Sequence, residues 1–274
     1  MQLIGCDFSS SPTRRKPIVL AHGRLQGSVV LLEHLSQLPT LDAFSNWLAE
    51  SESWVGGFDL PFGLPRELLA TLGWPLTWEA SIRYFAQLSR TEVRAQFKAF
   101  CDSRPVGGKF AHRACDRPAG SSPSMKWVNP PVALMLHSGV PRLLEAGVAF
   151  PGLKDSQDAR VALEAYPALL ARELLSRRSY KSDTTANQTL DRLIARKDLI
   201  TGLEAGNTRL GLRVKLNHSQ RDALIEDASG DSLDAVLCLL QAAWAWNQQL
   251  SGQGRYGLPS NVDPLEGWIV TVPA

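Results

Sequence analysis

Cysteine is scarce and unpatterned in this chain: Cys6, Cys101, Cys115 and Cys238 are the four among 274 residues, and no CxxC pair occurs. A disulfide scaffold is therefore not expected, nor a structural zinc, which wants paired ligands at close spacing. His112 and Cys115 stand near each other, but no second pair completes a ligand set. No apolar run approaches the roughly 20 residues that cross a bilayer. The N-terminus enters the run MQLIGC with no basic leader, so neither a secretory signal nor a membrane partner is expected, and the reading is a cytoplasmic, reduced protein. Internal repeats and long low-complexity linkers are also missing.

A strong net charge is missing too, the formal balance being +2. The distribution is less even than the total. Residues 66–150 hold eleven Lys/Arg against six Asp/Glu, which leaves the rest of the chain acidic. Such asymmetry fits an acidic pocket beside a basic surface that meets phosphates, and it equally fits solvated surface charge. With 44% hydrophobic and 20% charged residues, the composition is that of an ordinary globular protein. The expected organisation is one α/β domain over residues 1–274, with the loop-rich stretch 61–150 as an insertion or lid.

What is present is a set of short apolar runs with turn residues between them. QLIGCDF, PIVLAHGRL and SVVLLEHL read as three strands joined by short links, hence an antiparallel meander. Thr40 is placed to cap a helix, LDAFSNWLAES, whose Leu41, Phe44 and Leu48 form one stripe. SWVGGFD reads as a fourth strand, returned by that helix to lie parallel to the first. After the insertion, in which Pro141 is expected to start a new helical turn, residues 160–165 read as a short strand passing into a helix after Pro167. ANQTLDRLIARKDLITGL is an amphipathic helix, DSLDAVLCLLQAAWAW a long apolar one, and LEGWIVTVP a last extended piece.

Two of these strands end on a carboxylate. Asp7 closes MQLIGCD and Asp59 closes SWVGGFD, while Asp231 and Asp234 open the apolar helix at i, i+3. Desolvating a charged carboxylate costs several kcal/mol unless something compensates it. If strands one and four are parallel, their C-terminal ends bring Asp7 toward Asp59, at the end of an open α/β sheet where ligands bind. Oxygen donors so gathered suit a divalent cation, and two such ions a few Å apart suit phosphodiester chemistry. The bland alternative is that each acid caps the loop or helix beside it; for Asp231 both readings stand, whereas Asp234 lies inside the helix.

The chain also resembles the ribonuclease H-like superfamily. Asp7 on strand one, Asp59 after a meander and helix, and Asp231/Asp234 on a late apolar helix carry the likeness. The DxxDA pattern is similar to that of Holliday-junction resolvases. GCDFSS, FDLPFGLP, HRACDRP, LEAYPALL, GDSLDAVLCLLQAA and LEGWIV resemble, in this order, a prokaryotic family of unknown function whose members are predicted RNase H-like nucleases. The resemblance implies a mixed sheet of strand order 3-2-1-4-5, a metal-dependent hydrolase using Mg²⁺ or Mn²⁺, a nucleic-acid partner (DNA or RNA) and, by analogy, a homodimer. It implies that Asp7 bridges the metals, that Asp59 binds one of them, and that Asp234 or Asp231 completes the site. Resolvases commonly carry Glu on strand four, where this chain has the shorter Asp59.

Other residues join the candidates. Glu164, in the apolar stretch LEAYP, is a possible fifth acid or a hydrogen-bonded structural group. Arg113 and Lys126 of the insertion are expected to contact phosphates, with Asp116 pairing with Arg113 either in an ordered lid or at the surface. Lys181 reads as a phosphate contact or as a solvated helix-end cation. Trp127 and Trp268 read as core, with base stacking the alternative. Two further function classes remain open. An actin-like nucleotide-binding phosphotransferase wants a glycine-rich loop after the first acid, and Asp7-Phe8-Ser9-Ser10-Ser11 has no glycine. A catalytically silent nucleic-acid-binding protein would not need all four acids.

Overall fold

Successive residues of a strand face opposite sides of its sheet, and the first strand, β1 (Gln2–Asp7), uses that alternation to divide two cores. Leu3 packs into one hydrophobic cluster, Ile4 and Cys6 into another. The computed structural model describes residues 1–273. Five further strands join β1: β2 (Ile18–Gln26), β3 (Val29–Leu38), β4 (Trp54–Asp59), β5 (Arg160–Glu164) and β6 (Arg213–Lys215). The sheet is mixed and runs β5-β4-β1-β2-β3-β6. β1, β2 and β3 form the antiparallel meander, and β4 lies parallel to β1. Five strands were expected, and the sheet has six. Arg213–Lys215 pairs parallel with Val29–Leu31 and adds a sixth strand outside β3.

One face of the sheet carries α1 (Leu41–Glu50) and the segment between β4 and β5. That segment contains α2 (Arg66–Leu72), α3 (Trp78–Gln87), α4 (Arg90–Asp102), α5 (Asp116–Ala119) and α6 (Val132–Glu145). Thr40 caps α1 by accepting the Ala43 N–H. Trp54 and Phe58 of β4 are fully buried in one cluster with Phe85 and Phe97 of the inserted helices. Burying each such ring contributes about 1.5–3 kcal/mol, so 61–150 is tied to the sheet by its own aromatic residues. α6 continues through Pro141, where a fresh turn was expected.

The other face is covered by α7 (Pro167–Leu175), α8 (Leu190–Ala205), α9 (His218–Glu226) and α10 (Asp231–Leu250). α10 lies across β1, β2 and β4, and most of its residues are buried. Its approach to the sheet is set by two glycines. A Cβ on Gly5 would collide with the Ala235 carbonyl oxygen and the Leu239 amide, and one on Gly57 would sit 2.5 Å from the Cys238 carbonyl oxygen. Backbone therefore rests on backbone where α10 crosses β1 and β4. The tail expected to be extended makes one isolated bridge, Glu164 with Ile269, and otherwise turns. No described helix is long and apolar enough to cross a membrane.

Candidate metal centre

The alternation that sorts the core also sorts the acids. In β1, Leu3 and Gly5 face α10, so Asp7, two residues on, faces it as well; in β4, Val55 and Gly57 do the same for Asp59. The parallel register sets Asp7 opposite Asp59 at the ends of their strands. Asp234 comes from the first turn of α10 on that face. A carboxylate oxygen from each of Asp7, Asp59 and Asp234 lies within 4.8 Å of the others. Asp234 is fully buried, whereas Asp7 and Asp59 are half-buried and open into a cleft of about 560 Å³. Its walls include Ser9, Lys16, Pro130, Tyr166 and Lys181.

Asp231 also lines the cleft but stands outside the triad. It does not cap α10 either. Asp227 does, its Oδ2 accepting the Ser232 N–H and its Oδ1 the N–H groups of Ser229 and Gly230. That capping residue was missed, although the acid-before-glycine spelling DASGD could have suggested it.

Three acids so close disfavour one another's charge. Burial first, then Asp234, Asp231 and Asp59, push the Asp7 carboxyl well above its ordinary range, with Lys181 opposing. Burial and Asp234 raise Asp59 to about 7, again against Lys181. Lys181 is held above the usual lysine range: burial works to lower it, but Asp234, Asp7 and Asp59 outweigh that. Its ammonium pairs with Asp234 Oδ2 while the Tyr180 hydroxyl donates to Oδ1. Lys181 is thus neither a freely solvated cation nor, in this arrangement, a free phosphate contact.

A pH dependence follows. An aspartate in the unfolded chain titrates near 3.9, whereas Asp59 holds its proton to about 7. Between about pH 4 and pH 7 the folded protein keeps a proton that the unfolded chain has released, so metal-free stability falls as pH rises through this window. Asp59→Asn should flatten part of that fall. Urea denaturation in chelator across the window checks it, and parallel wild-type and variant curves would count against it.

Glu164 is excluded from the triad by the same parity. It pairs in register with Phe58 and so faces the inserted helices. There it meets Arg113, whose Nη1 and Nη2 donate to Glu164 Oε2 and Oε1 at 2.7 and 2.6 Å. Arg113 also donates to Asp116 Oδ1 from Nε at 3.1 Å and from Nη2 at 2.9 Å. All three are buried, Arg113 at 3% exposure and Asp116 at 0%. Arg113 is therefore not the surface phosphate contact expected of it, and its pair with Asp116 is not a surface salt bridge. Phe62 N–H donates to Glu164 as well, and Glu266 accepts from the Arg66 and Ala114 amides, so the network joins insertion, β5 and tail.

Lys126 is half-buried and does not line the cleft. Trp127 packs against Phe97 and Phe110, and Trp268 donates to the Val272 carbonyl within a small apolar cluster. Much of the insertion's positive charge is matched locally, in Arg66–Asp263, Arg83–Glu79, Lys98–Asp102 and Arg104–Glu67. The four cysteines are buried and free. Comparison of the chain with protein-family models, with curated proteins and with solved structures finds no match to any of them.

Proposed function

We propose that this protein is a metal-dependent nuclease of RNase H-like architecture, with strands β3-β2-β1-β4-β5 as the shared sheet and β6 as an addition. The observation that carries the reading is the convergence of Asp7, Asp59 and Asp234 from two strand ends and a helix start, beneath an open cleft. The donor set fits a hard dication: three carboxylates, no thiolate, two of them facing the cleft and the third buried behind them. Bound there, Mg²⁺ or Mn²⁺ would supply an activated water and stabilise charge on phosphate oxygens. Asp7 and Asp59 would hold the ion from the sheet side, and Asp234 from the helix. Tyr180, buried and bonded to Asp234 Oδ1, fixes that carboxylate's orientation. Lys16, paired with Asp183, and Lys181, paired with Asp234, stand on the cleft wall as cations that a phosphate would approach.

The test is a panel of single-stranded, duplex, hybrid and four-way-junction DNA and RNA substrates with Mg²⁺ and with Mn²⁺. Wild-type protein is expected to cut at least one of them, and Asp234→Asn to bind it without cutting. No cleavage and no binding across the panel, together with tight ATP binding, would replace this reading with a nucleotide-binding phosphotransferase.

A further inference from the structure

Asp234 is the most constrained member of the triad, and the residues constraining it are not alike. Its Oδ1 is held by the hydroxyl of Tyr180, which is buried, and its Oδ2 by the ammonium of Lys181, whose side chain is 42% exposed and lines the cleft. The loop bearing both is pinned from behind. Buried Arg196 donates from Nη1 to the Tyr180 carbonyl oxygen at 2.9 Å and from Nε to that of Ile225 at 2.7 Å. In front, Gly230 leaves room for the lysine stem: at φ 78 it disfavours any side chain, and a Cβ there would lie 2.6 Å from Lys181 Cβ and 3.0 Å from its Cδ. The seat holds the backbone and stem of the lysine, while its head reaches the cleft.

We propose that Lys181 is a resident counter-cation of the acidic triad, which a divalent ion displaces from Asp234, and that the freed ammonium then turns toward phosphate in the cleft. This rests on the metal reading above and adds to it the identity of the group the metal must replace. An ammonium and a dication sharing one carboxylate at a few Å repel strongly, so the two occupancies exclude each other. Tyr180 is neutral and buried, and it stays. Lys181 has a flexible four-carbon stem, and a solvated cleft to swing into. Its positive charge thus serves two partners in turn: carboxylates before the metal binds, and phosphate afterwards.

The experiment follows the wild-type protein and Lys181→Met by thermal melting against Mg²⁺ and Mn²⁺ concentration. It also follows reductive methylation of wild-type Lys181, read by mass spectrometry with and without saturating Mg²⁺. Metal-free Lys181→Met is expected to melt lower than wild type yet to respond to roughly tenfold less metal, the scale of one half-exposed ion pair. Methylation of Lys181 should speed up several-fold when Mg²⁺ is present. A wild type stabilised by metal with Lys181 modified at an unchanged rate would overturn the displacement alone, as would a variant needing more metal than wild type. A wild type indifferent to both ions would overturn the metal reading and this inference together. Should the variant fail to fold, the labelling of the wild type still decides.

Discussion

Asp7→Asn is expected to raise the melting temperature of the metal-free protein while abolishing the response to Mg²⁺ and Mn²⁺ and the cleavage of nucleic acid proposed for it. The two effects have one origin. Asp7 stands opposite Asp59 and beside Asp234, and burial with these neighbours lifts its carboxyl well above the ordinary range. An amide removes the cost of holding this carboxyl against burial and its acidic neighbours, a gain on the order of 1–3 kcal/mol at neutral pH. For a chain of this size that corresponds to roughly 2–5 °C. The amide can no longer serve as an anionic ligand, so metal stabilisation through mass action on the folded state should vanish. On the proposed mechanism, cleavage should fall by at least about a thousandfold, some 4 kcal/mol of barrier. Calorimetric melts in chelator and in millimolar Mn²⁺, beside a single-turnover cleavage assay, measure all three. A variant that melts lower than wild type without metal would remove the electrostatic argument, whatever happens to activity.

The other large effect lies on the opposite face of the sheet. Arg113→Met should cost about 3–5 kcal/mol, because it strands the buried carboxylates of Asp116 and Glu164 without their partner. Glu164→Gln should cost less, roughly 1–3 kcal/mol. The amide oxygen can still accept from the Phe62 N–H or from Arg113, and Asp116 keeps its own bonds to the guanidinium. Urea titrations of both variants decide it; an Arg113→Met protein within about 1 kcal/mol of wild type would mean that water reaches the pair and screens it. Because Arg113 also bonds the Glu266 carbonyl oxygen, the loss should loosen the tail as well as the insertion.

How far the sequence could be read depended on the range of each interaction. Apolar runs that end on Asp7 and Asp59 announce strands whose last side chain must find an unusual environment, and the uninterrupted apolar helix after Asp231 announces burial on nearly every side. Those are local signals. β6 carries none, since Arg-Val-Lys is three residues long and becomes a strand only by pairing with Val29–Leu31 from far away in the chain. The rejection of Glu164 from the triad was legible in principle, because its face follows from counting along β5 once the register with β4 is known, but that register is a tertiary fact. Arg113 misled for a related reason: HRACDRP is spelled like a solvated basic loop, and only the arrival of Glu164 from β5 makes it an interior ion network. The basic surplus of the insertion was real in composition, yet Glu79/Arg83 and Lys98/Asp102 at i, i+4 already showed that part of it is spent on neighbours.

The glycine contacts beneath α10 bear on how this protein can change over time. Where helix and sheet meet through side chains, a substitution in one partner can be absorbed by a smaller or larger neighbour, and a lineage drifts through paired exchanges. At Gly5 and Gly57 the opposing atoms are carbonyl oxygens and an amide, which every amino acid possesses. No second-site exchange can restore the space. These two positions therefore admit no side chain without moving the main chain, and the spacing of Asp7 and Asp59, two residues beyond them, is inherited from the main chain itself.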